Sequence, residues 1–159
     1  MKEEVAEVNL YSNVLMAMTS IHHIYGAFVY DTPWRLHILL ISIPIIIFNI
    51  VITRLHTQSR LNTLWQWVFW LVILIFAVVL IGGYEGMYNH ALKNVIYFLG
   101  TNEEIQRQLF PPPTYVMPNN LLFEATGIMQ AVILIPLSKA FIKLSRKMKI
   151  SSVADASRD

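Results

Sequence analysis

Residues 64–83 read LWQWVFWLVILIFAVVLIGG, without one charged side chain. A helix crossing the hydrocarbon core needs roughly 20 mostly apolar residues, and this run supplies them. Trp65, Trp67 and Trp70 near its start suit the aromatic belt of a bilayer interface. The stretch reads as a transmembrane helix, Leu64–Gly83, with Gly82 and Gly83 ending or loosening it. Composition agrees. The chain of 159 residues is 55% hydrophobic and 14% charged, where a soluble domain has about a quarter of its residues charged.

Three more spans follow on either side. Pro33–Thr53 has Thr32 as a candidate cap and Pro33 at the first helical position, where a missing N–H costs nothing. Pro44 is expected to bend it. Asn119–Leu144 runs apolar through Ala131–Leu137. Val8–Tyr30 is less apolar, with Asn13, Ser20, His22 and His23 on several faces. Such a helix is expected to pack inside the bundle, with Ala17, Ser20 and Gly26 permitting close approach. The alternative is an amphipathic helix lying in the interface. The expected fold is all-α: an integral membrane four-helix bundle forming one domain over residues 1–150.

Loop charge sets the orientation. Arg54, Arg60, Lys139, Lys143, Arg146, Lys147 and Lys149 flank one side, against Arg35, Lys93 and Arg107 on the other. The positive-inside rule then places both termini in the cytoplasm, in the cell membrane. The acidic start (Glu3, Glu4, Glu7) lacks the basic character of a signal peptide, so it is expected to stay in the mature chain. Ser151–Asp159 is expected to be a disordered cytoplasmic tail. The segment 84–118 faces outward. Within it, Tyr88, Leu92, Val95, Ile96 and Leu99 recur at helical spacing, so Tyr84–Leu99 is expected to be an amphipathic helix or an extension of the third span, stopped by Gly100. Thr101 and Glu104 have capping-box spacing for a short helix over Glu103–Phe110, which Pro111, Pro112 and Pro113 end. This outer-side amphipathic segment is expected to form a lid.

The chemistry-bearing residues collect under that lid. His22, His37, Glu85, His90 and Glu124 fall at a similar depth on four different helices. An ionisable group at the centre of a span costs ~2.5–3.5 kcal/mol on insertion scales, so it persists where it is buried, paired or functional. Cysteine is absent, which excludes thiolate sites. Imidazole and carboxylate are then the ligands on offer, and they suit Fe, Mn, Zn or Cu. His22, His37, Glu85, His90 and Glu124 are the candidate metal ligands. Haem b is the other candidate cofactor, with His22 or His23 and His37 or His90 as axial ligands. Successive helical residues differ by about 100°, so one of His22 and His23 is expected to face inward. Glu124, Glu85 and Tyr88 are the candidate catalytic groups. Asn120 can support Glu124, whereas Gln130 points elsewhere. Arg35 is expected to pair with Asp31 or a lipid phosphate.

These features point to a metal- or haem-binding multi-pass protein acting on a small apolar substrate or in redox chemistry. The alternatives are a non-catalytic subunit or assembly factor and a small proton-coupled transporter. The expected partners are the lipid bilayer and further copies of the chain. Nucleic acid is not among them, since Lys139–Lys149 is accounted for by topology. No P-loop, dinucleotide glycine pattern or nucleophile elbow occurs.

Overall fold

The structure is a computed structural model that describes residues 2–57, 63–112 and 114–156. Every regular element among them is helical. Helix α1 is Lys2–Val29. A 3₁₀ turn, Pro33–Ile38, leads into α2, Leu39–Thr57. Helix α3, Thr63–Val72, runs on without a break as a π-helical segment, Ile73–Leu92, and then as α4, Lys93–Phe98. Helix α5 is Glu103–Leu109, and α6 is Leu121–Ala156.

Three helical stretches are long and apolar enough to cross a membrane: Pro33–His56, Thr63–Phe98 and Leu121–Lys149. Much of their apolar surface points outward. Leu40 is 78% exposed and Leu121 88%, which suits lipid as the surrounding solvent better than water. Helix α1 falls short of that apolar standard, and its packing shows why. It lies against α2, the π segment and α6. Ser12, Thr19, His22 and His23 are buried on its inner side. Leu10, Val14, Ala17, Ile21, Ile24 and Phe28 form an exposed stripe at intervals of three and four residues. The polar positions thus fall on the inward side, with apolar surface outside. Ala17 belongs to the outer stripe and plays no part in close packing.

Several local expectations shift. The glycines at 82 and 83 do not end the third span, which continues to Phe98. Gly86 lets the π segment lie against the α6 backbone: a Cβ there would fall 2.6 Å from the Ala131 nitrogen. Thr32 makes no capping hydrogen bond. Its hydroxyl donates to the Gly26 carbonyl and accepts from Arg35 Nε at 2.9 Å. The cap of α5 is Asn102, whose Oδ1 accepts from the Glu104 amide at 2.7 Å. Asn outranks Thr as a cap and reaches the orphan amide directly. The tail expected to be disordered is helical as far as Ala156. Arg60, Pro113 and residues 157–159 lie outside the described residues.

The bundle has two unlike ends. Val5, Val8, Leu15, Phe69, Ile73, Leu137 and Leu144 build an apolar core toward the chain termini. The other end, beneath the loop after Phe98, holds most of the buried polar groups.

Candidate functional site

The π segment decides which side chains meet. Hydrogen bonds from i to i+5 give about 4.4 residues per turn, so residues four and five apart share a face. In an α-helix, residue i+5 lies about 140° away. Glu85, Asn89 and His90 accordingly converge. Asn89 Nδ2 donates to Glu85 Oε2 at 2.7 Å, and His90 Nε2 lies 3.5 Å from Glu85 Oε1.

Helix α1 brings both histidines to the same carboxylate. His22 Nε2 is 4.0 Å and His23 Nε2 3.3 Å from Glu85 Oε1. The expectation that one of them turns away fails because α1 lies in a seam. His22 faces α6, stacked on Phe123 with ring centroids 4.1 Å apart. His23 faces the 3₁₀ turn, 6.3 Å from the His37 ring. An angular offset of 100° still leaves both covered when neighbours flank the helix on two sides.

Helix α6 supplies the outer partners. His90 Nδ1 donates to Glu124 Oε2 at 3.1 Å. Glu124 also accepts from Asn94 Nδ2 at 2.6 Å and from Lys93 Nζ at 3.0 Å. Lys93 Nζ donates further to the Val116 carbonyl, tying the return segment down. His22 Nδ1 lies 2.9 Å from Thr126 Oγ1. That hydroxyl has one proton, directed at the carbonyls of Leu122 and Phe123. When that proton serves a carbonyl, the hydroxyl accepts from His22 Nδ1–H; when it turns to His22, it donates to Nδ1. His22 Nε2 is buried 4.0 Å from Glu85 Oε1, with no hydrogen-bond partner. Gly127 completes the packing, since a Cβ there would land on the His90 ring.

His22, Glu85 and His90 each offer a ligand atom, and these atoms lie within 4.8 Å of one another. The group could hold a metal ion. Beside it lies a cavity of about 380 Å³ whose lining includes His23, Glu85, His90, Arg35, Ile41, Phe76, Leu80 and Tyr115.

The other expected site residues fall further out. His37 is exposed, stacked on Trp34, and bonds the Trp34 carbonyl through Nδ1 at 2.6 Å. It stands at the cavity rim. Tyr88 donates to the Leu109 carbonyl at 2.9 Å and packs on Phe110, so it holds α5 in place. Asn120 caps α6, its Oδ1 accepting from the Phe123 amide, and it meets Glu124 through the backbone alone, its carbonyl accepting the Glu124 amide at 3.0 Å. Gln130 is fully buried, with neither amide atom partnered. Within the outer segment expected to form a lid, the part over the cavity is the return. Thr114, Tyr115 and Val116 of the return segment line the cavity, and α5 does not. Tyr115 bonds Tyr84 through their hydroxyls. Burial, then that bond, push the Tyr115 phenol upward, so it stays a proton donor near neutral pH.

Lys93, Asn94, Asn89, Thr126 and Gly127 escaped the sequence reading. A signal for two of them existed. His90, Lys93 and Asn94 stand at i, i+3 and i+4, opposite the apolar stripe of Leu92, Val95 and Leu99. Comparison with protein-family models, curated proteins and solved structures finds no match.

Proposed function

We propose that the protein is a membrane metalloprotein whose His22, Glu85 and His90 bind one first-row divalent ion beside a cavity open toward the bilayer. The observation that carries this reading is the buried Nε2 of His22, which faces Glu85 with no hydrogen-bond partner. His90 repeats the pattern: its Nδ1 faces Glu124, which leaves Nε2 directed at the same Glu85 oxygen. In the tautomers with Nδ1 protonated, both imidazoles present lone pairs to one carboxylate, an arrangement that a cation between them stabilises. Spacing supports a metal as that cation. Bonds of about 2.0–2.1 Å in a tetrahedral site put ligand atoms about 3.4 Å apart, and the contacts to Glu85 Oε1 are 3.5 and 4.0 Å. The partners on the far nitrogens, Thr126 and Glu124, are the kind that orient metal-binding histidines.

Three protein ligands leave a position open, as in catalytic rather than closed structural sites. His23 lines the cavity next to that position, with both ring nitrogens free of hydrogen bonds. It is placed to carry a proton to or from a bound substrate. A bare ion fits better than haem b. The ring centroids of His22 and His90 are 4.5 Å apart, with no layer between them for a macrocycle. For insertion, the outer stripe of α1 supports a fourth span. From Leu10 to Phe28 it runs about 27 Å at a rise of 1.5 Å per residue, close to the hydrocarbon thickness of about 30 Å.

Elemental analysis of detergent-purified protein, with its visible spectrum, tests the site. The expected result is one first-row metal per chain and no Soret band. His22→Ala and His90→Ala lose the metal, and His23→Ala keeps it. A folded wild-type protein that stays metal-free after exposure to Zn²⁺, Fe²⁺, Mn²⁺ and Cu²⁺ overturns the reading. The cation would then be a proton on His90 shared between Glu85 and Glu124.

A further inference from the structure

Arg35 is the buried charge that the metal reading does not use. The residue is 6% exposed. Its Nε is engaged by Thr32, but its terminal nitrogens meet no acceptor and no carboxylate among the described residues. Aromatic rings surround it instead. The guanidinium carbon lies 5.1 Å from the Trp34 ring centroid, 5.3 Å from that of Phe123 and 5.5 Å from that of Tyr30. Those rings cover its faces and favour a cation, yet they satisfy none of its in-plane N–H groups. Beyond the bond from Nε, the protein gives the terminal nitrogens no acceptor, and they are not fully enclosed, so a group entering from outside can supply what the charge lacks. Arg35 lines the cavity, so the missing acceptor has a place to lie.

The rest of the cavity describes the rest of the ligand. Ile41 on α2 and Phe76 and Leu80 on the π segment give it an apolar wall. Helix α2 packs on α1 and α3 but forms no extended contact with the π segment. Ile41 and the pair Phe76 and Leu80 thus line the cavity from two apolar rods that are not packed along each other, which leaves space for a chain to enter between them. Trp34, Leu80 and Tyr84 in the cavity lining are exposed, and they border a stretch long enough to lie within a bilayer. A volume of about 380 Å³ is near the low end for small-ligand sites. It has room for one chain and not for a two-chain phospholipid.

We propose that this cavity takes a single-chain amphiphile from the bilayer, its carboxylate forked on the Arg35 guanidinium and its chain along Ile41, Phe76 and Leu80. The planar fork of arginine matches two carboxylate oxygens. The proposal deepens the metalloprotein reading by naming the substrate class that would lie beside the ion, and it rests on that reading for its chemistry alone. The headgroup site stands on Arg35.

Binding of radiolabelled palmitate to delipidated protein in non-ionic detergent tests it. Hexadecanol removes the charge, acetate removes the chain, and lysophosphatidate exchanges the headgroup. One palmitate per chain is expected, with hexadecanol and acetate at least about tenfold weaker, as loss of charge-assisted bonds or of chain burial requires. Arg35→Gln loses about tenfold or more for palmitate and leaves hexadecanol unchanged. Arg35→Lys, which keeps charge without the fork, falls between. Leu80→Trp, at an exposed rim position, weakens palmitate and hexadecanol alike, and it keeps the test alive if Arg35→Gln fails to fold. Palmitate no tighter than hexadecanol, an Arg35→Gln protein that binds normally, or lysophosphatidate preferred to palmitate would each overturn the proposal. Metal content measured in the same samples separates the two claims. Metal without palmitate binding sinks this inference, and palmitate binding without metal sinks the metal site.

Discussion

Glu4 and Glu85 are both covered carboxylates with basic partners, at opposite ends of the bundle, and they are held in different ways. Glu4 is met by Lys147 and lies 4.0 Å from Lys143. Both lysines are about half exposed, at 48% and 56%. Their stems cover the carboxylate, and their charges stay in water. That arrangement is complete in itself, because a mobile ammonium can always turn to its partner. Glu85 is met by imidazoles on rigid helices, two of them with their far nitrogens already committed to Thr126 and Glu124. Those rings cannot turn to suit Glu85 without breaking a buried bond. One end neutralises charge with flexible groups, and the other holds three imidazoles in fixed positions around one carboxylate, with unpartnered ring nitrogens beside it. Such an arrangement is what a ligand-binding site requires.

Neutralising each carboxylate should separate the two ends most sharply. Glu85→Gln is expected to reduce bound metal from about one per chain to below a tenth, whereas Glu4→Gln leaves it unchanged. Equal metal content in the two variants, read by elemental analysis, would erase the distinction. The next effect is at Glu124. Glu124→Gln leaves Lys93 buried without its counter-charge, which is worth about 3–5 kcal/mol of destabilisation. It also weakens the bond that orients His90, so metal affinity should drop about 10–100-fold. Combining it with Lys93→Met should restore much of the thermal stability in detergent and none of the metal affinity. Recovery of both together would mean that Glu124 acts on folding alone.

The same contrast explains which parts were legible. The apolar rods were, because hydropathy is local: Leu64–Gly83 needs no knowledge of its neighbours. The level at which His22, Glu85, His90 and Glu124 meet was also legible, since depth follows from counting residues along each rod. Which face each residue takes was not. The α-helical period places Glu85 and His90 on different faces, and the π geometry of Ile73–Leu92 brings them together. No turn residue or proline announces that change. Lys93 was read as a topological loop charge because its partner, Glu124, is 31 residues away in sequence. Pairings across such a gap depend on which helices become neighbours. The α1 face was recoverable in principle, since the stripe Leu10, Val14, Ile21 and Phe28 has helical spacing. It reads as an inward face only if water is taken as the solvent.

Gly127 tests the rigid end without touching any ligand. The His90 ring fills the space where a side chain would stand. Gly127→Ala is expected to displace the ring by a few tenths of an ångström or more and to cost about 1–3 kcal/mol through overpacking. Metal affinity, read by competition with a chelator, should fall about tenfold. Gly83→Ala serves as the control, because a Cβ there would meet only the Val78 carbonyl oxygen of its own helical segment, at 3.2 Å. If both substitutions lower affinity equally, the loss comes from general loosening of the π segment against α6.

The smallest effect belongs to the flexible end, and its sign is fixed. The hydrogen bond from Lys147 lowers the Glu4 pKa from 4.5 to about 2. A carboxyl whose pKa is lowered by folding adds stability above its unfolded value and loses it as pH falls toward the folded one. The melting temperature of wild type should therefore exceed that of Glu4→Gln by a constant margin from pH 7 down to about 5. The margin should then shrink between about pH 4.5 and 2. Exposed lysine partners keep it small, in the range of ordinary surface ion pairs, and added salt should reduce it further. Taking the difference between the two proteins cancels the titration of every other carboxylate. A margin that widens on acidification would mean that Glu4 is stabilised as its neutral form, by packing against α6 rather than by charge. The two ends of the bundle would then be closer in kind than their partners suggest.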